Sequence, residues 1–286
     1  MTRLVRTVDE VRAGVDVAKA AGRVVGLVPT MGALHRGHIR LVECCRAEAG
    51  LVIVSVFVNP TQFGPTEDFA RYPRTPEDDQ RLCEAAGADL IFAPDVATMY
   101  PRDREAMSFV DVPGLSGTLE GAVRPGHFRG VSTVVMKLFQ IVRPDAAFFG
   151  EKDYQQQRVI RRMVEDLNVP VTVRTVETVR EPDGLALSSR NRYLDPEQRR
   201  AAPVLRAALT RARAEVAAGE RDANRVRQVL TETIQSEVRA VLDYAEVADA
   251  ESLEPLTVIG PGRRAVGLLA VRFGQTRLID NTILTD

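Results

Sequence analysis

Val24–His38 reads VVGLVPTMGALHRGH: an apolar run, a glycine-containing loop, and two histidines where a helix begins. The run Val24–Val28 is apolar at consecutive positions, as a strand covered on both faces of a parallel sheet should be. After the loop, Ile39, Val42, Cys45 and Ala49 fall on one helical face. Strand, loop and helix make the unit from which open α/β sheets are built, and the unit recurs outward from here. Further apolar runs stand at Leu51–Val58, Leu90–Phe92, Ala146–Phe149 and Val171–Val176. Between them Val131, Val134, Val135, Leu138, Phe139 and Val142 share a helical face, as do Val159, Ile160, Met163, Val164 and Leu167. The pattern predicts an α/β parallel-sheet N-terminal domain over residues 1–177.

Beyond Glu177 the texture changes. One Arg-rich amphipathic helix runs through Val204, Leu205, Leu209 and Val216, and another through Val226, Leu230, Ile234 and Val238. Strand-like segments follow at Asp243–Val247, Ala265–Phe273 and Thr276–Ile279, with turn residues at Gly260-Pro261-Gly262 and Gly274-Gln275. Residues 178–286 therefore read as a smaller α+β domain.

The totals exclude several classes of function. The formal net charge is -1, so any affinity for phosphate must be local, and aromatic residues at 5% argue against a nucleic-acid stacking surface. Cys44, Cys45 and Cys83 have neither disulfide nor metal-ligand spacing; they read as reduced thiols, with the adjacent pair packed on its helix. Residues 1–16 lack a signal-peptide core, and no apolar run approaches the roughly 20 residues of a membrane helix. The expectation is a cytoplasmic protein that binds neither membrane nor nucleic acid.

In open α/β sheets, ligands bind outside the carboxyl ends of the strands. Three polar segments follow directly on predicted strands: Pro29–His38, Asn59–Gly64, and Gly150-Glu151-Lys152-Asp153 leading into a helix with Gln155 and Gln156. On one sheet all three meet along one rim. His35 and His38, three apart at a helix N-terminus, suit phosphate, because free N–H groups and the helix dipole point there. The alternative for them is ordinary capping or surface histidine; a zinc site lacks a third ligand, with His127 far off in sequence. Lys152 at a helix start needs a compensating anion, which a triphosphate, Glu151 or Asp153 would supply. Leu187-Ser188-Ser189-Arg190 offers hydroxyls beside a forked guanidinium, either a phosphate clamp or a turn with a solvated arginine. Gln62 and Gln156 are neutral amides, suited to orienting a substrate oxygen that must stay nucleophilic; taken singly, each reads more simply as a surface glutamine. Arg124–Phe128 reads equally as a rim contact or a plain loop. Asp78 and Asp79 suit either Mg²⁺ or, more simply, a solvated first turn of helix after Pro76. No G-x-x-x-x-G-K-[ST] loop occurs.

Seven blocks carry a resemblance: PTMGALHRGH (Pro29–His38), VNPTQFG (Val58–Gly64), YPRTP (Tyr72–Pro76), RPGHFRG (Arg124–Gly130), FFGEKDYQQ (Phe148–Gln156), DGLALSSRN (Asp183–Asn191) and TRLIDN (Thr276–Asn281). In order and spacing they resemble the signature of the pantothenate synthetase (pantoate–β-alanine ligase) family, within the nucleotidylyl-transferase superfamily. H-x-G-H alone would point only to that wider group. The resemblance implies a Rossmann-like first domain, a second domain acting as a lid, a homodimer, Mg²⁺ dependence and a role in coenzyme A biosynthesis. It implies ATP contacts at Met31, Gly32, Ala33, Leu34, His35, Arg36, Gly37 and His38. Further ATP contacts follow at Gly150, Glu151, Lys152, Asp153, Val179, Leu187, Ser188, Ser189 and Arg190. Gln62 and Gln156 would hold pantoate, with Gln62 also near β-alanine. By the same resemblance His38 would be the catalytic position, with His35, Lys152 and Arg190 expected to stabilise charge on phosphoryl oxygens. Two departures stand out: Leu187 where many members have Met, a volume-conserving change, and Arg36 where many have an acidic residue.

Overall fold

The apolar runs of the first domain form one parallel sheet. In chain order its strands are β1 (Arg3–Val5), β2 (Val25–Thr30), β3 (Leu51–Val56), β4 (Leu90–Phe92), β5 (Ala146–Gly150) and β6 (Thr172–Val176). They lie side by side as β1-β4-β3-β2-β5-β6, all neighbours parallel. From β2 the chain first builds outward through β3 and β4, then returns to add β5 and β6 on the other side. The order therefore reverses between β2 and β5, the kind of point where open α/β sheets bind ligands. Numbering the helices of ten residues or more, this region carries α1 (Val8–Ala20), α2 (Arg36–Glu48), α3 (Pro76–Ala85), α4 (His127–Val142) and α5 (Tyr154–Asp166).

The computed structural model describes residues 2–65, 67–103 and 106–285. The chain divides into two units, Met1–Glu151 with Gln155–Glu177, and Lys152–Tyr154 with Thr178–Asp286. In the first, Leu41, Val42 and Cys45 of α2 join Val52, Val54, Cys83 and Ile91 in a buried cluster. Burial pushes the Cys45 and Cys83 thiols up to about 12, which makes them packing groups rather than nucleophiles. Leu167 departs from its expected place: α5 ends at Asp166 and Leu167 is 53% exposed.

The second unit pairs α6 (Val204–Ala217) and α7 (Ala223–Gln235) with an antiparallel sheet of β7 (Ala240–Asp249), β8 (Ala265–Phe273) and β9 (Thr276–Ile283). Leu205, Leu209, Leu230, Ile234, Val247, Leu269 and Val271 share its core. Val238 is not on the buried stripe; α7 stops at Gln235 and Val238 is 87% exposed. β9 runs past the expected Ile279 because Asp280 and Asn281, polar in sequence, are buried and hydrogen-bonded. Among the described residues no helix is long and apolar enough to cross a membrane.

Candidate active site

β3, β2 and β5 are adjacent, so the segments after them start from one edge of the sheet. The loop after β2 is the most constrained. Thr30 Oγ1 donates to the Ser55 carbonyl at 2.7 Å and accepts from Gly32 N at 3.2 Å. Gly32 (φ 83°) and Ala33 (φ 50°) then turn left-handed in succession, a conformation that costs a non-glycine residue of order 1 kcal/mol. Asp79 of α3 holds this turn in place. Its carboxylate, only 3% exposed, accepts from Ala33 N at 3.0 Å, Leu34 N at 2.8 Å and Thr75 Oγ1 at 3.1 Å. A Cβ on Gly32 would sit 2.9 Å from Asp79 Oδ2. The expected solvated helix turn at Asp79 is thus corrected: α3 drives this carboxylate into the loop, where backbone N–H groups replace its water.

The loop delivers His35 as the N-cap of α2. His35 Nδ1 accepts from Gly37 N at 3.1 Å, and His38 Nδ1 accepts from His35 N at 3.3 Å. Imidazoles thus perform the reciprocal capping usually done by hydroxyl and carboxylate. The rings lie 4.1 Å apart between centroids. With both Nδ1 atoms accepting, each neutral ring carries its proton on Nε2, where it is a hydrogen-bond donor. Capping and phosphate binding are therefore compatible, because they use different nitrogens. Arg36 is exposed and pairs with Glu43.

After β3 comes a 3₁₀ turn, Pro60–Gln62. Asn59, 1% exposed, donates through Nδ2 to Gln62 Oε1 at 3.0 Å and to the Gly130 carbonyl at 3.2 Å. Its Oδ1 accepts from Thr61 N at 3.2 Å and from the Tyr100 hydroxyl at 2.8 Å. Gln62 Nε2 reaches Met31 Sδ at 3.2 Å, which joins the loops after β2 and β3. A Cβ at Gly130 would lie 2.4 Å from the Thr61 carbonyl oxygen, so only glycine lets α4 come this close.

Arg124–Phe128 proves to be a support for this turn. His127 Nδ1 donates to the Gln62 carbonyl at 2.8 Å, and its Nε2 stands 3.1 Å from an Arg124 nitrogen. Burial, and then the Arg124 charge, push the His127 imidazole down to about 4, so it is neutral. Arg124 in turn forms two hydrogen bonds to Glu67, at 2.8 and 2.6 Å. Although burial works against its charge, those bonds hold the Glu67 carboxyl below its usual range.

Of the three consecutive glutamines on α5, two are structural. Gln155 accepts from Glu120 N at 3.0 Å and donates to the Leu115 and Thr118 carbonyls, each at 2.8 Å. Gln157 is buried and hydrogen-bonds the Thr175 hydroxyl at 2.8 Å. Gln156, between them, is half-buried.

Of the remaining candidates, Gly150 and Glu151 belong to the first unit, and Lys152, Asp153, Val179 and Leu187–Arg190 to the second. Lys152 lies in a 3₁₀ turn, Glu151–Asp153, rather than in the α-helix itself, and its Nζ is 3.5 Å from Asp153 Oδ1. Its carbonyl accepts from Asn281 Nδ2 at 2.8 Å. Leu187 N donates to the Val179 carbonyl at 3.0 Å, closing a narrow loop that Arg180 and Ala186 bridge. Ser188 caps the following turn, its hydroxyl accepting from Arg190 N at 3.3 Å. Arg180 is tied to buried Asp280 by bonds of 2.7 and 3.0 Å. Within the closing TRLIDN block, Asp280 thus holds Arg180 and Asn281 holds the backbone of Lys152. Among the described residues no group of three or more His, Cys, Asp or Glu side chains is placed to hold a metal ion.

The family model of pantoate-beta-alanine ligase matches residues 3–283. The chain belongs to the pantoate-beta-alanine ligase family. It is 55% identical over 279 residues to the pantothenate synthetase of Pelotomaculum thermopropionicum, covering 97% of each chain. The crystal structure of pantothenate synthetase from Thermus thermophilus is similar to it with a TM-score of 0.91 and 48% identity, over 99% of this chain and 100% of that one. The pantoate-beta-alanine ligase of Francisella tularensis, crystallised with beta-gamma ATP and beta-alanine, shares 30% identity at a TM-score of 0.79, covering 99% and 98%. The ligase fold read from the sequence, a parallel α/β sheet followed by a smaller α+β portion, is that of these structures.

Proposed function

We propose that this ligase joins (R)-pantoate to β-alanine through a pantoyl adenylate, releasing AMP and pyrophosphate. The observation that carries the reading is the paired capping of His35 and His38, which fixes two Nε2–H donors at the start of α2, beside the point where the strand order reverses. Membership of the ligase family supports the identity of the acid and the amine.

In this reading, Met31–His38, Gly150–Asp153, Val179 and Leu187–Arg190 bind ATP, and Gln62 and Gln156 orient pantoate. A pantoate carboxylate oxygen attacks the α-phosphorus, and the bond to pyrophosphate breaks. His38 and His35 donate to the phosphoryl oxygens, while Lys152 and Arg190 offset their negative charge, so the protein acts by positioning and electrostatics. The β-alanine nitrogen then attacks the activated carbonyl, the amide bond forms, and AMP leaves. Neutral amides at Gln62 and Gln156 keep the attacking oxygen nucleophilic where a lysine would quench it.

Mg²⁺ fits as an ion held mainly by nucleotide phosphates and water, since Asp79 is engaged by the loop and Asp78 is exposed beside Arg81. Bound there, it would offset charge on the departing pyrophosphate. The two domains, 1–177 and 178–286, serve in this reading as the ATP and pantoate platform and as a lid that shields the mixed anhydride from water. A cytoplasmic homodimer in coenzyme A biosynthesis completes it.

The test is the product mass after incubation with ATP, Mg²⁺, pantoate and β-alanine. Pantothenate with equimolar AMP is expected. A nucleotidylated acid that persists in the presence of the amine would sink the ligase reading.

A further inference from the structure

We infer that Asp79 is a positioning residue for the phosphate-binding histidines, acting through the backbone of Ala33 and Leu34. The inference rests on the reading of Met31–His38 as the ATP loop. The Asp79 carboxylate bonds to the backbone of Ala33 and Leu34 and to the Thr75 hydroxyl, so its influence on the imidazoles passes along the chain.

Four observations carry it. The carboxylate is buried and accepts from two consecutive loop amides, at 3.0 and 2.8 Å. Those amides belong to the stretch where Ala33 is left-handed, a conformation that needs an outside restraint to persist. Immediately after them comes His35, whose backbone N–H and Nδ1 both take part in the capping pair with Gly37 and His38. Finally, Gly32 leaves room for the carboxylate, since a Cβ there would press on Asp79 Oδ2 at 2.9 Å and on Val56 Cγ1 at 3.0 Å. The sequence of causes is therefore short. Asp79 fixes the peptide planes of Ala33 and Leu34, these set the entry angle of His35, and the capping pair sets which nitrogen of each ring carries the proton.

A carboxylate close to a phosphate site would ordinarily oppose binding. Here three hydrogen bonds draw its charge into the loop, with Thr75 Oγ1 as the third donor. An amide in its place keeps the size but turns an NH₂ group toward a backbone N–H. Asp79→Asn should then release the left-handed turn without opening a cavity.

The experiment compares the parent protein with Asp79→Asn, Gly32→Ala and the double variant, using pantoate-dependent ATP–pyrophosphate exchange. Thermal melting and long-range imidazole ¹H–¹⁵N spectra accompany each. Asp79→Asn is expected to lower kcat on the order of 10²-fold, the scale of an ångström-level misplacement, with a smaller change in the pantoate KM. His35 and His38 should show the Nε2–H pattern in the parent and a tautomer mixture in the variant. Gly32→Ala strikes the same clamp from the other side, so the double variant should lose no more than the worse single one. Multiplying losses in the double variant would overturn the inference. So would an unchanged imidazole pattern, or an activity loss that added Mg²⁺ abolishes, which would mark a direct metal contact. Should Asp79→Asn fail to fold, Thr75→Val removes one support of the carboxylate, and a partial loss of kcat with a partial tautomer shift is expected. No exchange in the parent would instead refute the ATP-loop reading itself.

Discussion

The loops after β2 and β3 touch through Gln62 and Met31, yet they are held by opposite chemistry. The first is gripped by an anion: Asp79 accepts from the backbone N–H groups of Ala33 and Leu34. The second is gripped by neutral donors, with His127 donating to the Gln62 carbonyl and Asn59 to the Gln62 side chain. Arg124, which stands beside His127, is paired with Glu67. This difference matches the roles proposed for the two loops. A phosphate loop needs rigid donors, and a buried carboxylate held by two N–H groups and the Thr75 hydroxyl supplies that rigidity. A loop orienting a carboxylate nucleophile needs the absence of charge, and His127 meets that by staying neutral down to about 4.

The largest effects should fall on His38 and on Lys152, the residues proposed to meet the phosphates. His38→Ala and Lys152→Ala are each expected to lose pantoate-dependent ATP–pyrophosphate exchange by about 10²- to 10³-fold, the range for removing one oriented donor. Unimpaired exchange in either would end that residue's assigned role.

An intermediate effect should separate the two loops by pH. The His127 imidazole lies near 4 in the folded chain against 6.5 for the ordinary group, so between those values the unfolded chain binds more protons. Stability contributed by His127 is therefore complete above about pH 6.5, declines as pH falls toward about 4, and changes no further below that. The whole contribution is on the order of 3 kcal/mol. Tm measured against pH should lose that segment of its slope in His127→Asn, while Asp79→Asn should keep it. An unchanged slope in His127→Asn would contradict the neutral grip on the second loop.

The smallest effect belongs to Arg36. It lies within the first loop's motif but is exposed, and its ion pair with Glu43 is open to solvent. Arg36→Ala should leave Tm unchanged and alter the ATP KM only modestly and in a salt-dependent way. A large salt-independent loss would show that Arg36 itself helps to fix the loop or meets the nucleotide directly.

Much of this contrast was legible in the sequence, but only from one side. The strand runs, and the polar segments that follow them, could be read because apolar runs and polar loops alternate visibly along the chain. The residues that hold the site do not. Asp79 lies 46 positions from Ala33 and sits in Glu77-Asp78-Asp79, which looks like any acidic first turn of a helix. His127 is 65 positions from Gln62, and Asn281 is 129 from Lys152. Each makes its decisive bond to a backbone group, which leaves no matching side chain for a reader to find. β1 escaped for a different reason: three residues, with Leu4 at 37% exposure, carry no periodicity. The ends of α5 and α7 fall short of the spacing because Leu167 and Val238 extend it by one step into solvent.

The central claim is that this rim activates the acid as an adenylate. The most direct measurement uses pantoate labelled with oxygen-18 in its carboxylate, with ATP, Mg²⁺ and β-alanine, followed by mass spectrometry of every product. One labelled oxygen should appear in AMP for each pantothenate formed, since the attacking oxygen stays with the α-phosphorus when the amide forms. Label recovered in inorganic phosphate or pyrophosphate, with AMP unlabelled, would contradict attack at the α-phosphorus and with it this account of the histidine loop.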